Sequence, residues 1–258
     1  MKTLVIPDVH QDLPWVRRIL DKETDFDELV FLGDYYDEFE TQPFCSPKSV
    51  TKYMHSLTEL YDDVTFLIGN HDAQYLAFRG RCPPRRNDPT PFEKRWQTNG
   101  YTRNRCSDIS RYLTTSILER FKLAKYTQGF LLSHAGVLGQ LLTDISNVQE
   151  SAGDTPLDRF LYTANSYCPY LSHHTYSPLF WIGKYRDPKS HDPYPGIIWC
   201  DFDAEFDNTI DVPQIVGHTI GDSVRVKNVG TPNAAYCLDA EQTAYGVILD
   251  GVLSIHTT

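Results

Sequence analysis

The chain has no apolar run of the length needed to cross a bilayer, which argues against a membrane-spanning helix and against a membrane partner. It enters its first apolar run at Thr3, which leaves no room for a signal peptide and makes the cytoplasm the expected location. Positive charge is scarce: 24 Lys and Arg against 34 Asp and Glu give a net charge of −10, so long nucleic acid is not expected as a partner. Cysteine is sparse too. The six, at 45, 82, 106, 168, 200 and 237, include no Cys-x-x-Cys pair, so neither a zinc cage nor a disulfide framework is expected, and they read as reduced thiols. There is no internal repeat, low-complexity tract or evident linker. With 258 residues, 41% of them hydrophobic, the chain reads as one compact domain over 1–258.

What the chain does have is five short apolar runs that each stop at a residue able to ligate a metal. They are Thr3–Pro7 before Asp8, Leu29–Gly33 before Asp34, Val64–Gly69 before Asn70, Gly129–Ser133 before His134 and Pro213–Gly217 before His218. Runs rich in Val, Ile, Leu and Phe, closed by Gly or a polar residue, read as strands buried on both faces, and ligands gather where such strands end. Carboxylate, imidazole and amide groups would then converge from distant sequence on one crevice. This mix of hard and borderline donors suits Mn, Fe, Zn, Mg or Ni, and a shared carboxylate can bridge two ions.

The motifs Asp8-Val-His10, Gly33-Asp34-Tyr-Tyr-Asp37, Gly69-Asn70-His71-Asp72, Ser133-His134-Ala-Gly136 and Gly217-His218-Thr219 stand in an order and spacing that resemble the calcineurin-like metallophosphoesterases. Within that superfamily the chain is most similar to the serine/threonine phosphoprotein phosphatases and their bacterial, phage and diadenosine-tetraphosphatase relatives. Gly217-His218-Thr219-Ile220 carries no second histidine two places on, and Gly196-Ile-Ile-Trp199-Cys-Asp201 resembles the apolar-Trp-Ser-Asp segment of those phosphatases, with Cys200 in place of the serine.

The resemblance implies an α/β (α+β) fold, a two-sheet mixed β-sandwich flanked by helices with a dimetal site at the strand ends. It implies that Asp8, His10 and Asp34 hold one divalent cation and that Asp34, Asn70, His134 and His218 hold the other, manganese being expected first. The pair would grip phosphate oxygens and supply hydroxide for in-line attack. His71 would protonate the departing oxygen, and Asp37 would accept one ring N–H and keep that acid usable near pH 7.

One position departs from the phosphoprotein-phosphatase pattern. Where that family has a phosphate-clamping arginine after the second aspartate, this chain has Glu38, with Glu40 close behind. A carboxylate there would repel a phosphate, so another cation must compensate or the substrate differs. From Arg79 to Arg105 eight basic residues face two acidic ones, a local charge of +6 that leaves −16 for the rest. With Pro83, Pro84, Pro89 and Pro91, this segment reads as a basic, Pro-rich loop insertion, placed either to attract an anionic substrate or simply to lie in solvent. Arg79 and Arg186 are the named candidates for substrate binding.

Helical spacing is clear in two places. Ser46-Pro47 caps a helix carrying Val50, Tyr53, Met54, Leu57 and Leu60, a crossover between the second and third strands. Ser107 or Asp108 caps a second, with Ile109, Tyr112, Leu113, Ile117 and Phe121 on one face. After His218 the pattern turns to hairpins: Ala234–Leu238, then Thr243–Leu249, an Asp250-Gly251 turn and Val252–His256. His173, His174 and His191 read as ordinary surface residues before residues lining the substrate mouth, and the aromatics around them read either as buried packing or as a platform for a base or a phosphotyrosine ring.

Three functions fit. The first is a phosphomonoesterase acting on phosphoserine, phosphothreonine or phosphotyrosine in proteins. The second is a hydrolase of nucleotides or dinucleoside polyphosphates, suggested by the stretch Ala73–Gly80 and the absent clamp. The third, a non-catalytic scaffold, is disfavoured because every ligand and the acid histidine are retained.

Overall fold

The computed structural model describes residues 1–37, 45–79, 98, 100–149 and 152–258. Among the described residues, two sheets face each other. The first has six strands in the order β11-β10-β1-β2-β3-β4, formed by Val252–Thr257, Ala244–Leu249, Lys2–Ile6, Glu28–Phe31, Val64–Leu67 and Phe121–Lys122. The second has five in the order β5-β6-β7-β9-β8, formed by Ala124–Thr127, Phe130–Ser133, Gln214–Val216, Ala235–Cys237 and Arg225–Lys227. This is the expected sandwich, with helices on the outer face of the first sheet.

Side-chain alternation explains why the central strands are apolar throughout. Leu4, Ile6, Leu29, Phe31 and Phe66 point outward to the helices, while Val5, Val30, Leu32 and Leu67 point inward to Phe130, Leu132 and Ile215 of the facing sheet. The helices that cover the outer face are α1 (Leu13–Lys22) and α2 (Pro47–Leu60). Asp12 caps α1 by accepting from Trp15 N at 2.9 Å, and the helix buries Trp15, Val16 and Ile19. Each such aliphatic side chain contributes about 1.5–3 kcal/mol on burial. Ser46 caps α2 with Pro47 in its first turn, as expected, and Val50, Met54 and Leu57 face the core.

Several expectations need correction. The single helix anticipated from Ser107 or Asp108 is two. Thr102 caps α4 (Arg103–Tyr112), the chain turns at Leu113, and Thr114 starts α5 (Thr115–Arg120) with its own cap. Phe121 then opens strand β4 instead of closing a helical face. Both threonine hydroxyls accept a backbone N–H of the following turn, which makes two helix starts cheaper than one continuous helix through Leu113. Arg103–Arg105 therefore belong to a helix and not to a loop; 80–97 and 99 of the basic segment, and Glu38 and Glu40, lie outside the described residues. Cys106 is disulfide-bonded, so the six cysteines are not all thiols. Of the C-terminal strands, β10 and β11 form the expected hairpin through Asp250-Gly251, both at positive φ, but β9 belongs to the other sheet.

The topology positions the site. Strands β1, β2 and β3 run parallel, as do β6, β7 and β9 in the facing sheet. Their C-terminal ends meet along one edge, so the residues that follow them, Asp8, Asp34, Asn70, His134 and His218, face one another. No helix among the described residues is long and apolar enough to cross a membrane.

Candidate metal centre

Among the described residues, two groups of ligand-type atoms share one residue. Asp8, His10 and Asp34 each place a nitrogen or oxygen within 4.8 Å of the others, and so do Asp34, His134 and His218. Asn70, the first residue of α3 (Asn70–Ala77), brings its Oδ1 to 3.0 Å from His134 Nε2, alongside the second group. The structure thus brings together all six positions that the sequence singled out as ligands.

Backbone carbonyls fix the histidine tautomers. His10 Nδ1 donates to Asp37 O at 2.9 Å and His134 Nδ1 donates to Leu32 O at 2.9 Å, because a carbonyl can only accept. Each ring then presents Nε2 to the cluster, His134 Nε2 lying 3.4 Å and His10 Nε2 3.7 Å from Asp34 Oδ2. Asp34 Oδ1 accepts the backbone N–H of His71 at 3.0 Å. Asp8 Oδ2 and His218 Nε2 are buried with no hydrogen-bond partner among the described residues. Buried acceptors aimed into a cluster of carboxylates and imidazoles fit a divalent cation and fit little else.

The glycines in the motifs make room. A Cβ on Gly217 would sit 1.9 Å from Asp8 Oδ2, and one on Gly69 would sit 2.1 Å from Asp34 Oδ1. Three of the cluster's residues, His10 (φ 40°), Asp34 (φ 50°) and His218 (φ 68°), and the neighbouring Asp37 (φ 63°) also hold left-handed backbone without being glycine. Such conformations cost about 1–3 kcal/mol each and persist only where the surroundings impose them.

The electrostatics of the cluster's own side chains are unbalanced. Burial, and then the nearby Asp34 charge, push the Asp8 carboxyl up to about 7 against the pull of His134. Burial also acts to raise Asp34, but His134, His71 and His10 overcome it and hold that carboxyl well below its usual range. Burial first, then the charge on His134, pushes His218 far down.

Beside the cluster sits a second arrangement built on Asp37. Its Oδ2 accepts from His71 Nδ1 at 3.1 Å and Gln74 Nε2 at 2.7 Å, and its Oδ1 from Tyr75 OH at 2.5 Å and Arg105 Nη1 at 3.0 Å. Burial acts to lower His71, but the Asp34 and Asp37 carboxylates outweigh it and raise the imidazole above its usual value. Asp37 itself ends lowered, its burial offset by bonds to His71, Tyr75 and Arg105.

Residues the sequence reading left without a role complete the site. Asp72, fully buried, accepts three backbone N–H groups, from Asp34 at 2.7 Å, Tyr35 at 2.8 Å and Gly69 at 2.9 Å, and so ties the second and third motifs together. Asp239 follows β9 as His218 follows β7, and burial with the charges of Asp8 and Asp34 pushes its carboxyl well up. A strand-end rule applied to Ala234–Leu238 would have found it. Of the two arginines expected at the substrate, Arg186 bonds Asp201 of the Trp199 segment at 3.0 Å and is close enough for its charge to disfavour protonation of His218. Arg79 lines a separate cleft of 190 Å³ with Leu76, Glu119 and Cys168, none of them part of the cluster.

Comparison with known proteins places the chain in a family. The sequence model of the calcineurin-like phosphoesterases matches residues 1–222. No curated protein sequence matches the chain. Among solved structures, a cold-active protein-tyrosine phosphatase of the psychrophile Shewanella sp. superposes with a TM-score of 0.55 at 15% identity, covering 98% of this chain and 80% of that one. A metallophosphoesterase from Sphaerobacter thermophilus gives a TM-score of 0.45 at 13% identity over 100% of this chain and 88% of its own. At 15% identity the likeness to the Shewanella phosphatase is one of fold.

Proposed function

The chain belongs to the calcineurin-like phosphoesterases and is a phosphoester hydrolase, and from that premise we propose that it is a phosphomonoesterase acting on phosphorylated serine, threonine or tyrosine in proteins. The observation that carries this reading is the pair of ligand clusters sharing Asp34, with His71 hydrogen-bonded to Asp37 directly beside them. Asp8, His10 and Asp34 would hold one divalent cation and Asp34, Asn70, His134 and His218 the other, manganese first among those the donor set accepts. When bound, such cations neutralise phosphate oxygens and make water acidic enough to attack near neutral pH.

The protein's own groups do the rest. Asp37 accepts the Nδ1 proton of His71, which leaves Nε2 as the nitrogen that hands a proton to the departing oxygen. As the water oxygen bonds to phosphorus on one side, the bond to the leaving oxygen breaks on the other, and the His71 proton caps it. The Asp37 carboxylate bonded to Nδ1 favours the protonated ring, which keeps that proton available near neutrality. Arg186, oriented by Asp201, supplies positive charge for the phosphate from the His218 side.

The test is a matched panel of phosphopeptides, nucleoside monophosphates and diadenosine tetraphosphate, offered to the Mn-loaded protein and to its His71→Asn variant. Phosphopeptide turnover that needs metal and falls about 10²-fold or more in the variant, the usual contribution of a general acid, supports the reading. Preferential cleavage of the dinucleoside polyphosphate contradicts the substrate class.

A further inference from the structure

The far end of the basic segment reaches into the site at three points. Thr98 Oγ1 lies 3.2 Å from Asp37 Oδ2 and 3.2 Å from His71 Nδ1, touching both members of the pair. The same threonine fixes its neighbour Gln74: its backbone N–H donates to Gln74 Oε1 at 3.0 Å and its hydroxyl accepts from Gln74 Nε2, so the amide can turn only one way and Nε2 must face Asp37. Gly100 packs so tightly that a Cβ there would meet Asp37 Cγ at 2.2 Å. Its carbonyl accepts from Tyr75 OH and from Arg105 Nη1, each at 3.4 Å, the same two groups that donate to Asp37 Oδ1.

Arg105 arrives by helix register. Thr102 caps α4 through Arg105 N at 3.2 Å, which puts the arginine in the first turn, where a helix dipole disfavours a cation. The placement gains little for the helix; the carboxylate of Asp37 receives it.

We propose that Thr98, Gly100 and Arg105 form a positioning arm that holds the Asp37 carboxylate, and through it the His71 ring, at the angle needed to protonate the leaving group. This rests on the reading of His71 as the proton donor. A carboxylate held by His71 alone could swing about its own side-chain torsion and carry the ring with it. Two donors from the neighbouring helix and two from the arm leave it one orientation. The basic segment thereby has a task in the chemical step as well as in the local charge.

A positioning role predicts a signature that general loosening would not give. Proton donation matters for a poor leaving group and hardly at all for a good one, so the slope of rate against leaving-group pKa reads it directly. The experiment measures kcat/KM of the Mn-loaded protein over aryl phosphates from 2,4-dinitrophenyl to phenyl, for wild type, His71→Asn, Gly100→Ala, Thr98→Val, Thr98→Ser and Arg105→Met, each checked for wild-type metal content.

His71→Asn steepens the slope. Gly100→Ala, Thr98→Val and Arg105→Met steepen it in the same sense, losing about ten-fold on phenyl phosphate, part of the 10²–10⁴-fold a general acid provides, and under about two-fold on the dinitrophenyl ester. Thr98→Ser keeps the hydroxyl and the wild-type slope. If His71→Asn steepens the slope while the arm variants lower all substrates equally or none, the arm is structural and the inference fails. If His71→Asn leaves the slope unchanged, His71 is not the proton donor and the reading beneath the inference fails with it.

Discussion

His218 and Asp8 stand 210 positions apart in sequence and are joined by one hydrogen bond, from the His218 backbone N–H to Asp8 Oδ1 at 2.9 Å. The bond holds one oxygen of the carboxylate and leaves Oδ2 buried and facing the cluster. Gly217 makes this possible, since any Cβ there would land on Oδ2. Gly217→Ala is therefore expected to lower metal affinity about ten-fold or more, the range seen when groups that orient ligands are disturbed. Titration calorimetry with Mn²⁺ checks it, and far-ultraviolet circular dichroism should show the fold retained.

Asp72 makes a prediction about stability instead of turnover. It takes three backbone N–H groups where no water reaches. Asp72→Asn sets an NH₂ against at least one of those donors, so unfolding in denaturant should show a loss of about 1–3 kcal/mol, the cost of leaving a buried donor unpaired.

The Asp8 carboxyl supplies a pH dependence. Its folded value, about 7, lies above its unfolded one, so the metal-free fold is most favoured where the group is protonated and loses that stability as pH rises through about 7. Asp72 shifts in the same sense and to about the same value. A bound cation removes the penalty by taking the proton's place. Chelation is thus expected to lower Tm more at pH 8 than at pH 5.5, measured by scanning calorimetry with and without a chelator. Equal drops at both pH values would contradict the assignment.

Arg186 is tied to Asp201 by one nitrogen at 3.0 Å, and its charge disfavours protonation of His218. Arg186→Ala should raise KM for phosphomonoesters roughly ten-fold, the equivalent of one charge-assisted hydrogen bond, with metal affinity unchanged. Steady-state kinetics beside metal titration separate the two effects.

The strands that carry the ligands were legible in the sequence because each is apolar on both faces and stops at a polar residue. That pattern records burial between helices and a facing sheet, and it located β1, β2, β3, β6 and β7. Less could be read where the deciding interaction is distant or small. The break at Leu113 depends on a single threonine cap, and Phe121 becomes a strand residue only because β3 lies beside it. β8 is three residues with no apolar alternation. Asp37 could be recognised from its motif, but its partners Thr98, Gly100 and Arg105 could not, since no local pattern in the sequence marks a packing contact across more than 60 positions. Gln74 and Tyr75 had a signal in retrospect: they follow His71 by three and four positions, on the same face of α3.

The central claim is that two cations share Asp34. Electron paramagnetic resonance of the protein titrated with Mn²⁺ tests it most directly, because two manganese ions joined by one carboxylate couple their spins. The account predicts two ions bound per chain with a coupled spectrum, reverting to that of an isolated ion in Asp34→Ala. Two uncoupled ions, or a single ion at saturation, would contradict it.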